Sequence, residues 1–137
     1  YFWLLRRELL LMPLHAQKKG KAGEEEMCRW LLKNLSVDVA RNMKQSRGKG
    51  SDIVLEDFLI EVKRREILSL DVWWHQVVVA QKTYEKVEGL IPIVAYRQNR
   101  KPWMFLMPAR LISGCDLGYV IASEKVFIQF ARSLIDG

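Results

Sequence analysis

Cysteine and histidine are scarce: two of each occur in 137 residues, Cys28 and Cys115, His15 and His75. The cysteines show no CxxC spacing and no histidine cluster beside them, which argues against a zinc site. So few thiols fit a reducing, cytoplasmic setting rather than a disulfide scaffold. The histidines lie far apart and read as surface or packing residues. Long apolar runs are also missing, since none approaches the roughly 18 residues needed to span a bilayer. The hydrophobic segment Tyr1–Leu14 carries Arg6, Arg7 and Glu8 in its middle. No cleavage site follows it, so it does not read as a signal peptide. It reads instead as a short helix that packs on the domain or on a partner, and Met12 is a candidate natural start. Repeats, low-complexity blocks and linkers are absent. The chain therefore reads as one domain, with an N-terminal extension (1–17), a core (18–110) and a C-terminal extension (111–137).

What is present is a folding composition with a basic surplus. Half of the residues are hydrophobic and five are Trp, which excludes an intrinsically disordered chain. Lys and Arg number 22 against 16 acids, a formal charge of +6, and the pI is about 9.5. A positive surplus favours a polyanionic partner, because phosphate neutralisation supplies much of non-specific nucleic-acid affinity. Many basic proteins bind no nucleic acid, so charge alone does not decide the matter.

The periodicities give an element order. After a basic, Gly-containing stretch at 18–21, the spacing of Met27, Cys28, Leu31 and Leu35 predicts a helix over 22–34. Alternating Val37 and Val39 predict a strand over 36–43. A basic loop with two glycines, 44–50, follows. Two short strands, 52–55 and 58–64, flank Glu56-Asp57 as a tight turn. Ser69 is a plausible N-cap for a helix over 70–88, in which Trp73, Val77, Ala80, Tyr84 and Val87 share a face and Gly89 is the stop. Strands are expected at 91–97 and 103–107, then a strand at 119–121 and a helix at 124–135. The order α-β-β-β-α-β-β implies an α/β (α+β) fold, a mixed sheet of about five strands with flanking helices. Its first three strands form an antiparallel meander, and a right-handed parallel crossover joins 58–64 to 91–97.

The register of the 52–64 hairpin carries the chemistry. A two-residue loop pairs Leu55 with Phe58, Val54 with Leu59, Ile53 with Ile60, and Asp52 with Glu61. Opposed residues share a face with Cβ atoms about 5 Å apart, and Lys63 joins them by the two-residue repeat. Two opposed carboxylates repel unless a cation lies between them. Mg²⁺ fits that role, since it takes a few carboxylate oxygens, keeps waters and bridges to phosphate. Lys63 would then orient the attacking water or stabilise charge on the phosphate. The competing reading is that these are solvated charges on the outer face of an ordinary hairpin.

Gly50-Ser-Asp52-Ile-Val, with Glu61-Val-Lys63 beginning nine residues after the Asp, resembles the PD-(D/E)xK nuclease superfamily, with Gly50-Ser51 where the family name has Pro. The α-β-β-β-α-β order is that of its restriction-endonuclease-like core. Gly20 through Leu32 is similar to the first helix of archaeal-type and phage Holliday junction resolvases. Glu61 to Glu66, Trp73 to Gln76, Tyr96-Arg97 and Lys101 to Trp103 look like phage-encoded endonucleases of that group. The likeness covers about 18–110 and supports a nuclease more firmly than any one substrate. It implies a Mg²⁺-dependent endonuclease, with Mn²⁺ as a substitute, in which Asp52, Glu61 and the Val62 carbonyl hold the metal. Glu24 would complete the site from the first helix, and Gln76 would support the metal or its water. Glu24 satisfies the family pattern with Met27 and Cys28 and is expected on the sheet-facing side. Glu25 and Glu26 are expected to point elsewhere. Helix-terminus complementation is the alternative for all three acids. Phosphate contacts are expected from Lys19, Lys21, Lys44, Arg47, Lys49, Arg64, Arg65 and Arg97, with Arg100 and Lys101 extending the track. Trp73 and Trp74 are expected to pack in the core. A resolvase implies four-way-junction DNA as partner and a C2 homodimer. The other readings are a related nuclease with a restriction-like, nicking or branch-cutting activity, and a non-catalytic DNA-binding module.

Overall fold

A computed structural model describes residues 14–39, 53–55, 57–83, 89–114 and 118–136. They form α1 (Leu14–Leu35), β1 (Ile53–Leu55), β2 (Phe58–Arg64), α2 (Leu70–Thr83), β3 (Ile91–Arg97), β4 (Met104–Pro108), α3 (Arg110–Ser113), β5 (Tyr119–Ala122) and α4 (Glu124–Ile135). The five strands make one mixed sheet in the order β1-β2-β3-β4-β5. This is the expected α+β class, consistent with a restriction-endonuclease-like core.

The β1–β2 hairpin adopts the register that a two-residue loop dictates: Leu55 opposite Phe58, Val54 opposite Leu59, Ile53 opposite Ile60. The further expected pair, Asp52 with Glu61, involves a residue outside the described ones. β2 runs parallel to β3 from Phe58↔Ile91 to Arg64↔Arg97, so α2 lies in a crossover between them, as expected. β4 and β5 then add antiparallel.

Alternation along β2 sends its side chains to different helices. Phe58, Ile60 and Val62 join Ile93, Ala95, Phe105 and Met107 beneath α1, through Met27 and Leu31, and α4, through Phe127 and Ala131. Phe105 and Phe127 stack there with ring centroids 4.0 Å apart. On the opposite face Leu59 packs with Ala80, and Val94, Tyr96 and Leu106 pack with Trp73 and Val77 of α2. Trp73 is thus core, as expected, and Trp74 is half-buried against Tyr119.

Three expectations change. α1 begins at Leu14 rather than near residue 22, so the basic stretch 18–21 is helical. Glycines there do not break it: a helical Gly costs only about 1 kcal/mol relative to Ala, and Gly23 sits where α1 touches β2. The strand expected over 36–43 does not form across 36–39. Ser36 takes a left-handed φ of 57° and its N–H closes the helix on Leu32 O. Val39 is buried in the core without joining the sheet, so packing alone accounts for its apolar character. Residues 40–43 lie outside the described ones, as do the basic loop 44–50 and the end of the expected helix, 84–88. The tail supplies the fifth strand. β5 and α4 coincide with the expected 119–121 and 124–135, and the Ser123 side chain caps α4 by accepting from Val126 N. Among the described residues no helix is long and apolar enough to cross a membrane.

Candidate active site

Glu61 and Lys63 stand two apart on β2 and share the face that α2 covers. Their register partners Val94 and Tyr96 belong to the core cluster beneath that helix. Lys63 Nζ lies 3.4 Å from Glu61 Oε1, with the side chains only 15% and 13% exposed. Both charged groups are thus largely withdrawn from water and are paired with each other, as such side chains usually are when shielded. Removing two charges from solvent opposes folding, and their attraction repays it only in part.

Gln76 lies on α2, the helix that covers this face of the sheet. It follows buried Trp73 by three residues and precedes buried Ala80 by four, so it lies beside the inward stripe of the helix. Its Oε1 is buried with no hydrogen-bond partner among the described residues. Leaving such an oxygen unpaired costs about 1–3 kcal/mol, so this carbonyl is a free acceptor facing the interior. The carboxylate of Glu61 and the amide oxygen of Gln76 are hard donors of the type Mg²⁺ prefers. Among the described residues no group of three or more His, Cys, Asp and Glu could hold a metal. Asp52, the expected second carboxylate, is outside them. His75 is exposed on α2.

The other face of β2 carries a separate charge cluster. Arg64 and Arg97 are register partners, and adjacent like charges in a sheet repel. Glu26 of α1 resolves this. Its Oε1 accepts from Arg97 Nη1 and its Oε2 lies 3.4 Å from Arg64 Nε. Glu26 therefore turns toward the strands, contrary to the expectation that it points away from the sheet. Arg64 and Arg97, expected as phosphate contacts, are engaged by this carboxylate across the sheet from Glu61 and Lys63. The signal was legible: two arginines ending two parallel strands require an acid. Arg65 is half-buried and donates from Nη1 to Arg64 O.

Gly23 fixes the spacing of α1 on β2. An added Cβ would sit 2.9 Å from Arg64 Cβ and 3.8 Å from Val62 Cγ1. At roughly 100° per residue, Glu26 lies to one side of Gly23, toward β3, and Glu24 to the other, toward β1. Glu24 is half-buried there, on the helix of the opposite face from Glu61 and Lys63. The side chains of Lys19 and Lys21, and the loop cations Lys44, Arg47 and Lys49, lie outside the described residues.

A family model described as "Phage putative PDDEXK endonuclease" matches residues 15–131. The chain belongs to this family. No curated protein and no solved structure matches it. Glu61-Val62-Lys63, whose acid and lysine form the partly buried pair on β2, lies within the matched span. The match also runs through β5 and most of α4, so the endonuclease fold includes the tail as well as the hairpin. One more feature of this endonuclease escaped the sequence reading. Asp71, Trp74, His75, Val78, Gly118 and Tyr119 line an open groove of about 680 Å³ on the far flank of α2. Tyr119 Oη donates to Asp71 Oδ1 at 2.6 Å. That bond, followed by burial, raises the Tyr119 pKa above its ordinary value.

Proposed function

We propose that this endonuclease is a Mg²⁺-dependent DNA-cutting enzyme whose substrate is branched DNA, a four-way junction above all, and that it acts as a homodimer. The observation that carries the nuclease site is the largely buried Glu61–Lys63 pair on the α2 face. The unpaired Gln76 oxygen supports it. Junction preference rests on the likeness of residues 20–32 to resolvase first helices. Symmetric cutting of a four-way junction then asks for two sites related by a two-fold axis.

In this reading Asp52, Glu61 and the Val62 carbonyl hold the metal, with Glu24 and Gln76 completing its surroundings. Bound Mg²⁺ would supply Lewis acidity toward the phosphate and a more acidic water. Glu61 is held in place by Lys63, so its carboxylate needs little reorganisation when charge develops. The Lys63 ammonium sits where it can orient the attacking water by hydrogen bonding and neutralise the phosphate. As the water oxygen bonds to phosphorus, the phosphorus–oxygen bond to the leaving strand breaks. The attacking water gives up a proton to solvent, and the leaving oxygen takes one up from solvent. Glu24 has a route to this site. β1 begins at Ile53, opposite Ile60, and the flank of α1 that bears Glu24 is the one toward β1. The loop cations Lys44, Arg47 and Lys49, with Lys19 and Lys21, form the phosphate track, joined by Arg65. Arg64 and Arg97 contribute only where phosphate displaces Glu26.

The test is cleavage of labelled four-way junction, duplex and single strand by the full chain with Mg²⁺ or Mn²⁺ and with EDTA. Paired symmetric nicks in the junction, abolished by EDTA, are expected. Asp52→Asn and Glu61→Gln should each stop cutting and leave DNA binding within a few-fold. Duplex or flap cutting in place of junction nicks would move the substrate to another member class. Binding without any cutting would remove the enzyme.

A further inference from the structure

We propose that Ile67, Leu68 and Val72 form an apolar wedge that enters the base stack of the DNA beside the cut phosphate. The inference rests on reading Glu61 and Lys63 as the DNA-cutting site. These three side chains are 84%, 39% and 56% exposed, and they crowd the connection that leaves the catalytic strand. Ile67 and Leu68 follow Lys63 by four and five residues. Val72 precedes Gln76 by four, so the two are neighbours on one flank of α2. With Gln76 read as part of that site, these exposed apolar side chains border it rather than a remote surface.

The connection is braced. Arg65 N donates to Arg97 O at 3.2 Å, and Trp73 N to Ser69 O at 3.0 Å. Gln98 Nε2 donates to Glu66 O at 2.8 Å, and Asn99 N to Glu66 Oε1 at 2.7 Å. A segment tied at both ends and in its middle holds Ile67 in water instead of letting it fold back onto the surface. The turn that supplies these bonds also carries Arg100 and Lys101, both exposed. Exposed acids share the segment, Glu66 before Ile67 and Asp71 before Val72, but Glu66 accepts from Asn99 N and Asp71 from Tyr119 Oη. Apolar side chains with the Arg100 and Lys101 cations nearby match the layout of a nucleic acid, whose apolar base faces lie inside a charged backbone. Proteins that kink DNA insert Ile, Leu or Phe between base steps in this manner. A protein-binding centre, by contrast, is usually depleted of Lys. Opening a base step next to the cut would bend the strand toward Lys63 and favour DNA that is already poorly stacked, such as a branch point.

The experiment uses the full chain and whichever DNA form it cuts fastest, with 2-aminopurine placed at the cut step and Ca²⁺ replacing Mg²⁺ to keep the DNA intact. The wild-type protein should raise the 2-aminopurine fluorescence. The double variant Ile67→Ser/Leu68→Ser should lose that rise and, with Mg²⁺, cut about tenfold more slowly, as expected when unstacking is no longer assisted. Ile67→Met should retain both. An unchanged thermal midpoint in the serine variant shows that the fold is intact. Wild-type fluorescence and cutting in the double variant would overturn the wedge and leave the nuclease standing. A wild-type fluorescence rise together with a change from dimer to monomer would also overturn it, making the surface a contact between copies. A wild-type protein that neither binds nor cuts DNA would remove the nuclease reading and the wedge with it.

Discussion

Glu61, Lys63 and Gln76 show how a single residue's surroundings separate chemistry from decoration. An acid and a lysine two apart on a strand are commonplace; shielded beneath a helix that also carries a buried amide oxygen with no partner among the described residues, they are not. Gln76 gives a sharp test. Gln76→Leu removes a buried unpaired carbonyl, so the denaturation midpoint should hold or rise, by up to about 1 kcal/mol. Metal-dependent cutting should fall about tenfold or more, as for other groups that support a metal site. Loss of stability with full activity would show that the oxygen is structural. Cys28 is a second residue-scale case. Burial first, and the Glu24 carboxylate next, raise its pKa above the ordinary thiol value. A thiol so shifted stays protonated below that ordinary value and ionises only at higher pH. In a Cys115→Ser background, Cys28 should react with iodoacetamide more slowly at pH 8 than a peptide thiol, with its rate–pH curve displaced upward. A curve overlying the peptide's would refute the assigned burial.

Between elements, the α1–β2 contact governs the site's frame. Gly23→Ala would bring a methyl 2.9 Å from Arg64 Cβ, closer than backbone-borne carbons tolerate. The helix gains about 1 kcal/mol of propensity. Forcing α1 off β2 costs about 1–3 kcal/mol and loosens Glu26 from Arg64 and Arg97. A lower unfolding midpoint in urea is expected, and a higher one would show that α1 shifts freely. Legibility differed from element to element. The β1–β2 register was readable because a two-residue loop leaves little choice, and α2 because Trp73, Val77 and Ala80 repeat at helical spacing. The start of α1 was not, since the basic stretch 18–21 with its Gly20 looks like a break before residue 22. Val37 and Val39 read as a strand because a short apolar alternation looks the same whether it pairs in a sheet or only packs.

For the molecule as a whole, the charge surplus becomes meaningful once its members are sorted. Arg64 and Arg97 are tied to Glu26 on the α1 face, whereas the loop 44–50 concentrates cations just before the Asp52 position. DNA affinity should fall steeply with salt, since each neutralised duplex phosphate contributes a slope of about −0.9 in log K against log salt. Replacing Lys44, Arg47 and Lys49 with Ala should reduce the magnitude of that slope by about 1 per cation that contacts phosphate. Arg97→Ala should leave the slope nearly unchanged and lower the unfolding midpoint. Equal slopes for all these variants would mean that binding does not use the loop.

By itself the amino-acid sequence determined the hairpin register, the parallel crossover, the two-sided core and the placing of Glu61 beside Lys63. All of these follow from short-range rules: loop length, the two-residue alternation of strands and the 3.6-residue turn of helices. Only the tertiary structure decided which charges are withdrawn from water and which acid of the Glu24–Glu26 run serves the strands. It alone showed that Ile67 and Leu68 stand exposed beside the site. Burial and long-range pairing depend on what the rest of the chain lays over a residue, and no local pattern specifies that.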